Sequence, residues 1–199
     1  APTANPSPRI TILDQGEFGN PLTLDSYDYR LNQLGFSTGK VVMTYQSTSI
    51  LSLEEGMTRY FNFKLPSEFH MISKKNGGND LRTAITASYR LPGENDYTNF
   101  KPEEINTTYE GQVSFELTSS QPIKVGQVTS IRVQINFGKI LDGLDLGPTF
   151  DYKTLIPDAT SGGYTFSGTV TTDEALGAWP AMAATGVTDG SEATTTGRK

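Results

Sequence analysis

Residue types able to do chemistry are sparse in this chain. Histidine occurs once, as His70, and cysteine is absent. Thiol catalysis and Cys-based zinc sites are therefore excluded, and any serine–histidine relay would have to use His70. That residue lies between Phe69 and Met71 with no GxSxG elbow nearby, so it reads as a structural or surface histidine. Carboxylates occur as neighbours, Glu54-Glu55 and Glu103-Glu104, or as Asp142 and Asp145 in the segment DGLDLG. Adjacent residues of an extended strand point to opposite sides, so neither Glu pair forms the facing dyad that glycoside hydrolysis needs. DGLDLG lacks the oxygen density and the closing Glu of a calcium loop. Asp142 and Asp145 stand as candidate ligands, yet no metal or other cofactor is expected, and no enzyme.

The aromatics point elsewhere. Tyr27 and Tyr29 alternate in DSYDYR, Tyr97 and Phe100 occupy the loop-like GENDYTNF, and Trp179, the single tryptophan, sits in LGAWPA. Planar rings exposed on loops stack on sugars or anchor a protein partner. Tyr27, Tyr29, Tyr97, Phe100 and Trp179 are therefore the candidate ligand-binding residues. For Trp179 the competing role is to cap the core near the C-terminus.

These residues have to be held by a scaffold, and composition describes its kind. With 199 residues, 35% hydrophobic and 19% charged, the chain suits one sizeable domain that needs no metal or disulfide to stand. Twenty glycines and eleven prolines supply the turns of an all-β chain. Net charge is −6 and no basic run occurs, so nucleic acid is not an expected partner. No apolar run approaches the length of a transmembrane helix. The opening Ala1-Pro2 suits a mature form after signal removal, or a trimmed chain.

Along the chain, residues 1–8 read as an extended lead-in, 9–182 as one domain and 183–199 as a flexible Thr/Gly-rich tail. Strands are expected at Arg9–Leu13, ended by Asp14-Gln15-Gly16, and at Val41–Tyr45 and Ser49–Leu53, paired across Gln46-Ser47-Thr48. Others are expected at Arg59–Leu65, Ala84–Leu91, Val113–Leu117, Val128–Phe137 and Tyr164–Val170. The strictest is SIRVQINFGK, where Ile131, Val133, Ile135 and Phe137 share a face opposite Arg132, Gln134 and Asn136. One short helix is predicted over Pro66–Ser73, closed by Gly77-Gly78. The whole predicts an antiparallel β-sandwich, Ig-like or jelly-roll-like, of about seven to nine strands.

The segments YFNFKLPSEF, ITASYRLPG and TSIRVQINFGK together resemble the cysteine-free β-sandwich modules of Gram-positive surface and adhesin-like proteins, over roughly residues 40 to 170. The Trp-x-Leu signature of one wall-binding family is absent. The resemblance implies an extracellular, cell-surface protein with attachment or surface-assembly roles and transfers no catalytic residue. The expected function is a non-enzymatic module that binds a surface protein or glycan, or serves as surface structure. A carbohydrate-binding module and a structural subunit of a pilus, surface layer or virion are the alternatives, and oligomeric state stays open.

Overall fold

Alternation decides which side of each strand meets the core. In β9 (Val128–Asn136), Ile131, Val133 and Ile135 are buried, while Arg132 faces solvent between them. The computed structural model describes residues 13–19, 22–159 and 164–172, with the backbone of 192–193. Its larger antiparallel sheet runs in the order β1 (Asp14–Phe18), β3 (Lys40–Ser49), β9, β5 (Ile85–Arg90), β6 (Thr98–Asn99), with β2 (Thr23–Leu24) on the end of β3. A second antiparallel sheet runs β11 (Ser167–Thr171), β4 (Thr58–Lys64), β8 (Gln112–Thr118), β7 (Ile105–Asn106). A two-residue pair joins β10 (Tyr164–Thr165) to β12 (Glu192–Ala193). The protein is an all-β antiparallel sandwich. Seven of these strands, β1, β3, β4, β5, β8, β9 and β11, run five residues or longer.

Aromatic side chains lock the two sheets face to face. Phe63 of β4 meets Tyr45 of β3 edge-on at 5.3 Å and Phe115 of β8 at 5.8 Å. Phe18 closes the same cluster, and Phe69 stacks on Phe137 at 4.4 Å. Such pairs add roughly 0.5–1.5 kcal/mol each beyond the burial of their area. Along one side the sheets are also stitched by backbone, because Leu13 N donates to the Val170 carbonyl oxygen at 2.8 Å.

That seam holds a polar group inside the sandwich. The Asp14 carboxylate accepts from Ser47 Oγ (2.7 Å), Tyr45 Oη (3.0 Å) and the Val170 amide (3.1 Å). Burial still pushes Asp14 above the usual carboxylate range, against these hydrogen bonds and the charge of Arg59. Arg59, 2% exposed, donates to Thr129 Oγ1 at 2.9 Å and lies 5.2 Å from the Phe61 ring centre. Its burial lowers the guanidinium to about 10.

Several expectations need correction. Gln46-Ser47-Thr48 is no turn: β3 runs unbroken through it, pairing with Val128–Ser130 on one side and Gln15–Glu17 on the other. The inward polar residue Ser47 is accommodated because Asp14 accepts its hydroxyl. For the same reason Asp14-Gln15-Gly16 is strand, not the end of one, and residues 9–12 of the expected first strand lie outside the described residues. The expected single strand Tyr164–Val170 is two, broken at Phe166, although Tyr164, Phe166 and Val170 are all buried. The lead-in, and the tail apart from the 192–193 backbone, also lie outside the described residues.

The short helix at Pro66–Ser73 is present as a 3-10 turn, Ser67–Phe69, running into α2 (His70–Ser73), with Phe69 and Ile72 buried. Gly78 adopts φ +90°, and a Cβ there would lie 2.1 Å from the Thr107 carbonyl oxygen, so this turn admits only glycine. Three further α-helices were not expected: α1 (Tyr29–Gln33), α3 (Asn79–Thr83) and α4 (Phe137–Gly143). Phe137 thus leaves the strand. Asn136 caps α4 by accepting from the Lys139 amide at 3.0 Å, and Phe137, Ile140 and Leu141 bury at helical spacing.

Candidate ligand-binding groove

Two short aromatic–Asp–aromatic segments build an open groove among the described residues. In Tyr27-Asp28-Tyr29 the Asp28 carboxylate caps α1, accepting from the Arg30 amide at 2.9 Å and the Leu31 amide at 3.3 Å. In Phe150-Asp151-Tyr152 the Asp151 carboxylate caps the 3-10 turn Tyr152–Thr154 in the same way, accepting from the Lys153 amide at 3.1 Å. Each cap fixes the start of its helical turn, because the Asp side chain satisfies amides that have no partner within the helix.

The two segments meet. Tyr27 and Tyr152 lie 4.8 Å apart, Tyr29 stacks over Tyr152 at 6.1 Å and 24°, and Phe150 meets Tyr152 edge-on at 5.2 Å. Between them opens a concavity of about 540 Å³, within the size range of small-ligand sites. Tyr29 and Phe150 are half-buried at its wall, while Arg30 and Leu31 (40% exposed) stand at its rim. A smaller space on the far side of Tyr27 measures about 20 Å³, room for one water at most.

Behind the rings, Asp142 of α4 acts as the fastener. It accepts from Tyr27 Oη at 2.6 Å and from Asn32 Nδ2 at 2.8 Å, tying α1 to α4. Burial together with this carboxylate raises the Tyr27 hydroxyl far above the usual tyrosine range, so it stays protonated and donating. Tyr152 donates to the Gly147 carbonyl oxygen at 3.0 Å, and burial raises its hydroxyl too.

The sequence-predicted residues divide among different places. Tyr27 and Tyr29 belong to this groove, but Tyr27 is 4% exposed and presents little more than its ring edge. Phe100, 7% exposed, is a core residue packed on Phe115 at 5.0 Å and Tyr89 at 4.8 Å. It directly follows β6, its amide donating to the Ala87 carbonyl oxygen at 2.9 Å, and it offers no exposed ring. Tyr97 lies on the outward face of the larger sheet with Arg132 at 3.6 Å and Arg90 at 5.0 Å from its ring centre. Trp179 lies outside the described residues. The proposed rings therefore do not form one patch among the described residues.

Asp142 is engaged by Tyr27 and Asn32, and Asp145 occupies a left-handed turn position with φ +51°. Among the described residues no group of three or more His, Asp or Glu converges as metal ligands do. His70 lies 3.3 Å from the Leu65 carbonyl oxygen and 3.7 Å from a Glu110 carboxylate oxygen.

Phe150 and Tyr152 were missed in the sequence. Their signal was present, since FDY repeats the spacing of YDY, with an Asp between two rings and a turn-forming Gly-Pro upstream.

No family model and no curated protein match the chain. Among solved structures it is similar to AvmM, which catalyses macrocyclization in alchivemycin A biosynthesis, at 8% identity and TM-score 0.37, covering 64% of this chain and 66% of that one. It is also similar to the partial N-terminal region of an enterococcal surface protein, at 9% identity and TM-score 0.37, covering 85% of this chain and 41% of that one. A CBM3 of Hungateiclostridium clariflavum is matched at 9% identity and TM-score 0.31, over 86% of this chain and all of that one. The chain thus spans about two thirds and two fifths of the first two. Likenesses this distant assign no role to any residue.

Proposed function

We propose that this chain is a non-enzymatic, extracellular surface module of Gram-positive type that binds a glycan through the groove between Tyr27–Leu31 and Pro148–Tyr152. One observation carries this reading: two separate Asp-capped turns converge their rings on one open groove rimmed by polar side chains. Sugars present apolar C–H faces edged by hydroxyls, which is the chemistry that half-exposed tyrosine and phenylalanine rings beside Arg30, Asp28 and Asp151 complement. The rigid sandwich holds these turns, as loops on a fixed scaffold are commonly held for binding. No helix among the described residues is long and apolar enough to cross a membrane.

The test is a glycan array probed with the full chain, followed by calorimetry on the best binder. Tyr29→Ala and Phe150→Ala are expected to weaken binding at least tenfold with an unchanged far-UV spectrum. Equal binding by both variants removes the groove from the reading. Tight capture of a surface protein without glycan favours an adhesin instead.

A further inference from the structure

We propose a second, independent site on the outward face of the larger sheet: an anion-binding strip built on Arg90, Tyr97 and Arg132 that takes the carboxylate or sulfate groups of an acidic polysaccharide. Register places the three side chains together. Ser88 pairs with Asn99 and Tyr89 with Thr98, so the next position brings Tyr97 beside Arg90. Arg90 in turn pairs with Ser130, and Ser88 with Arg132. Arg90 and Arg132 are thus diagonal neighbours on adjacent strands, both pointing away from the core that Tyr89, Ile131 and Val133 face.

Two like charges at such a diagonal repel and are ordinarily relieved by a carboxylate. Here none does so. The ion pairs between described residues involve His70, Lys74 and Lys153, and among the described residues no carboxylate oxygen comes within 4.0 Å of either guanidinium. This happens in a protein with 22 acidic and 16 basic residues, where acidic partners are not scarce. Tyr97 stands in the carboxylate's stead, its ring 3.6 Å from Arg132 and 5.0 Å from Arg90. A ring occupies a guanidinium's flat face and leaves its in-plane N–H groups, which are the ones that recognise carboxylate or sulfate as a fork. The strip is a preformed pair of forks without an acceptor.

Its surroundings select the kind of anion. Across the sheet the same outward row continues through Ser130 and Gln46, whose side chains hydrogen-bond at 2.7 Å, and the next row carries Asn99, Ser88 and Thr44 beside Arg132. Ser130 is itself buried, so the accessible groups flanking the two cations are those of Gln46, Thr44, Ser88 and Asn99, and such hydroxyls and amides suit a polymer bearing both hydroxyls and anionic groups. The strip crosses four strands, roughly 15 Å at the usual strand spacing of about 4.8 Å, long enough for a few sugar units. An acidic peptide fits less well, because the main-chain groups of β9 and β5 are taken up in the ladder and cannot add a strand on this face.

The experiment is calorimetry with the full chain against heparin, polygalacturonate, polyglutamate and neutral dextran, at low and at physiological salt. Salt-sensitive binding of heparin or polygalacturonate, with dextran silent, is the expected result, and the stronger of the two identifies the sulfate or carboxylate source. Arg132→Gln is expected to weaken it at least tenfold and Arg90→Gln/Arg132→Gln to abolish it, with unchanged melting. Tyr29→Ala should leave it intact, which separates this site from the groove. Acidic polysaccharides no better than dextran, binding unchanged in the double variant, or polyglutamate bound as tightly as the polysaccharides would each overturn the proposal.

Discussion

Removing the Asp142 carboxylate should both loosen the groove and destabilise the fold by an amount the structure sets. Asp142 accepts one hydrogen bond from Tyr27 Oη at 2.6 Å and one from Asn32 Nδ2 at 2.8 Å. Hydrogen bonds to a charged acceptor are worth about 1.5–3 kcal/mol, and Asp142 is only half-buried, so each belongs at the low end. Asp142→Ala should therefore cost about 3 kcal/mol, since it also strands the hydroxyl of a tyrosine that is 4% exposed. Tyr27→Phe removes the donor alone and should cost about 1.5 kcal/mol. The informative quantity is the coupling in the double-mutant cycle, because it cancels what each substitution does elsewhere. Equilibrium urea unfolding followed by circular dichroism, on the parent, both single variants and the double variant, should give a coupling of about 1.5 kcal/mol. A value under about 0.5 kcal/mol would mean that hydroxyl and carboxylate act independently. The Tyr27–Asp142 bond would then not be what holds Tyr27 in the groove wall, and its position there would need another account.

Two further outcomes follow from the core and its seam. Phe63→Ala should destabilise the fold by about 3–5 kcal/mol in the same urea assay, because Phe63 is 1% exposed and contacts rings on both sheets. A loss under 1 kcal/mol would be incompatible with sheets packed through this residue. The second outcome concerns pH. Burial raises Asp14 above its unfolded value of about 3.9, so between that pH and the folded value the folded state keeps a proton that the unfolded state has released. Stability attributable to Asp14 is therefore present below pH 4 and lost as pH rises through that window. Unfolding free energies of the parent minus those of Asp14→Asn should decline with rising pH above 4, while a flat difference would show that Asp14 titrates normally.

How much of this was legible depends on which force dominates locally. Where burial alternates, composition of the strand is enough: Phe61 and Phe63, Val113 and Phe115, and Ile131, Val133 and Ile135 face inward as their spacing requires. Helix α4 was legible too, in Phe137, Ile140 and Leu141 after Asn136, but the regular strand before it hid the change of period. Gln46-Ser47-Thr48 misled because a polar triplet reads as a turn until a buried carboxylate on another strand supplies Ser47 with a partner. Phe100 misled in the same manner, since a polar loop sequence says nothing about which way its last ring will turn.

The sequence by itself determined the class of fold, the inward faces of the long strands, the glycine-closed turn after α2 and the absence of thiol chemistry. These follow from local periodicity, backbone freedom and residue type, none of which needs a distant partner. Only the tertiary structure decided what the aromatics do. Tyr27 and Tyr29 meet Tyr152 across more than a hundred residues of chain, and Arg90 of β5, Arg132 of β9 and Tyr97 just before β6 meet on one face of the sheet. Such meetings are set by strand order and register, which sum weak contacts over the whole sheet and leave no mark within any one segment.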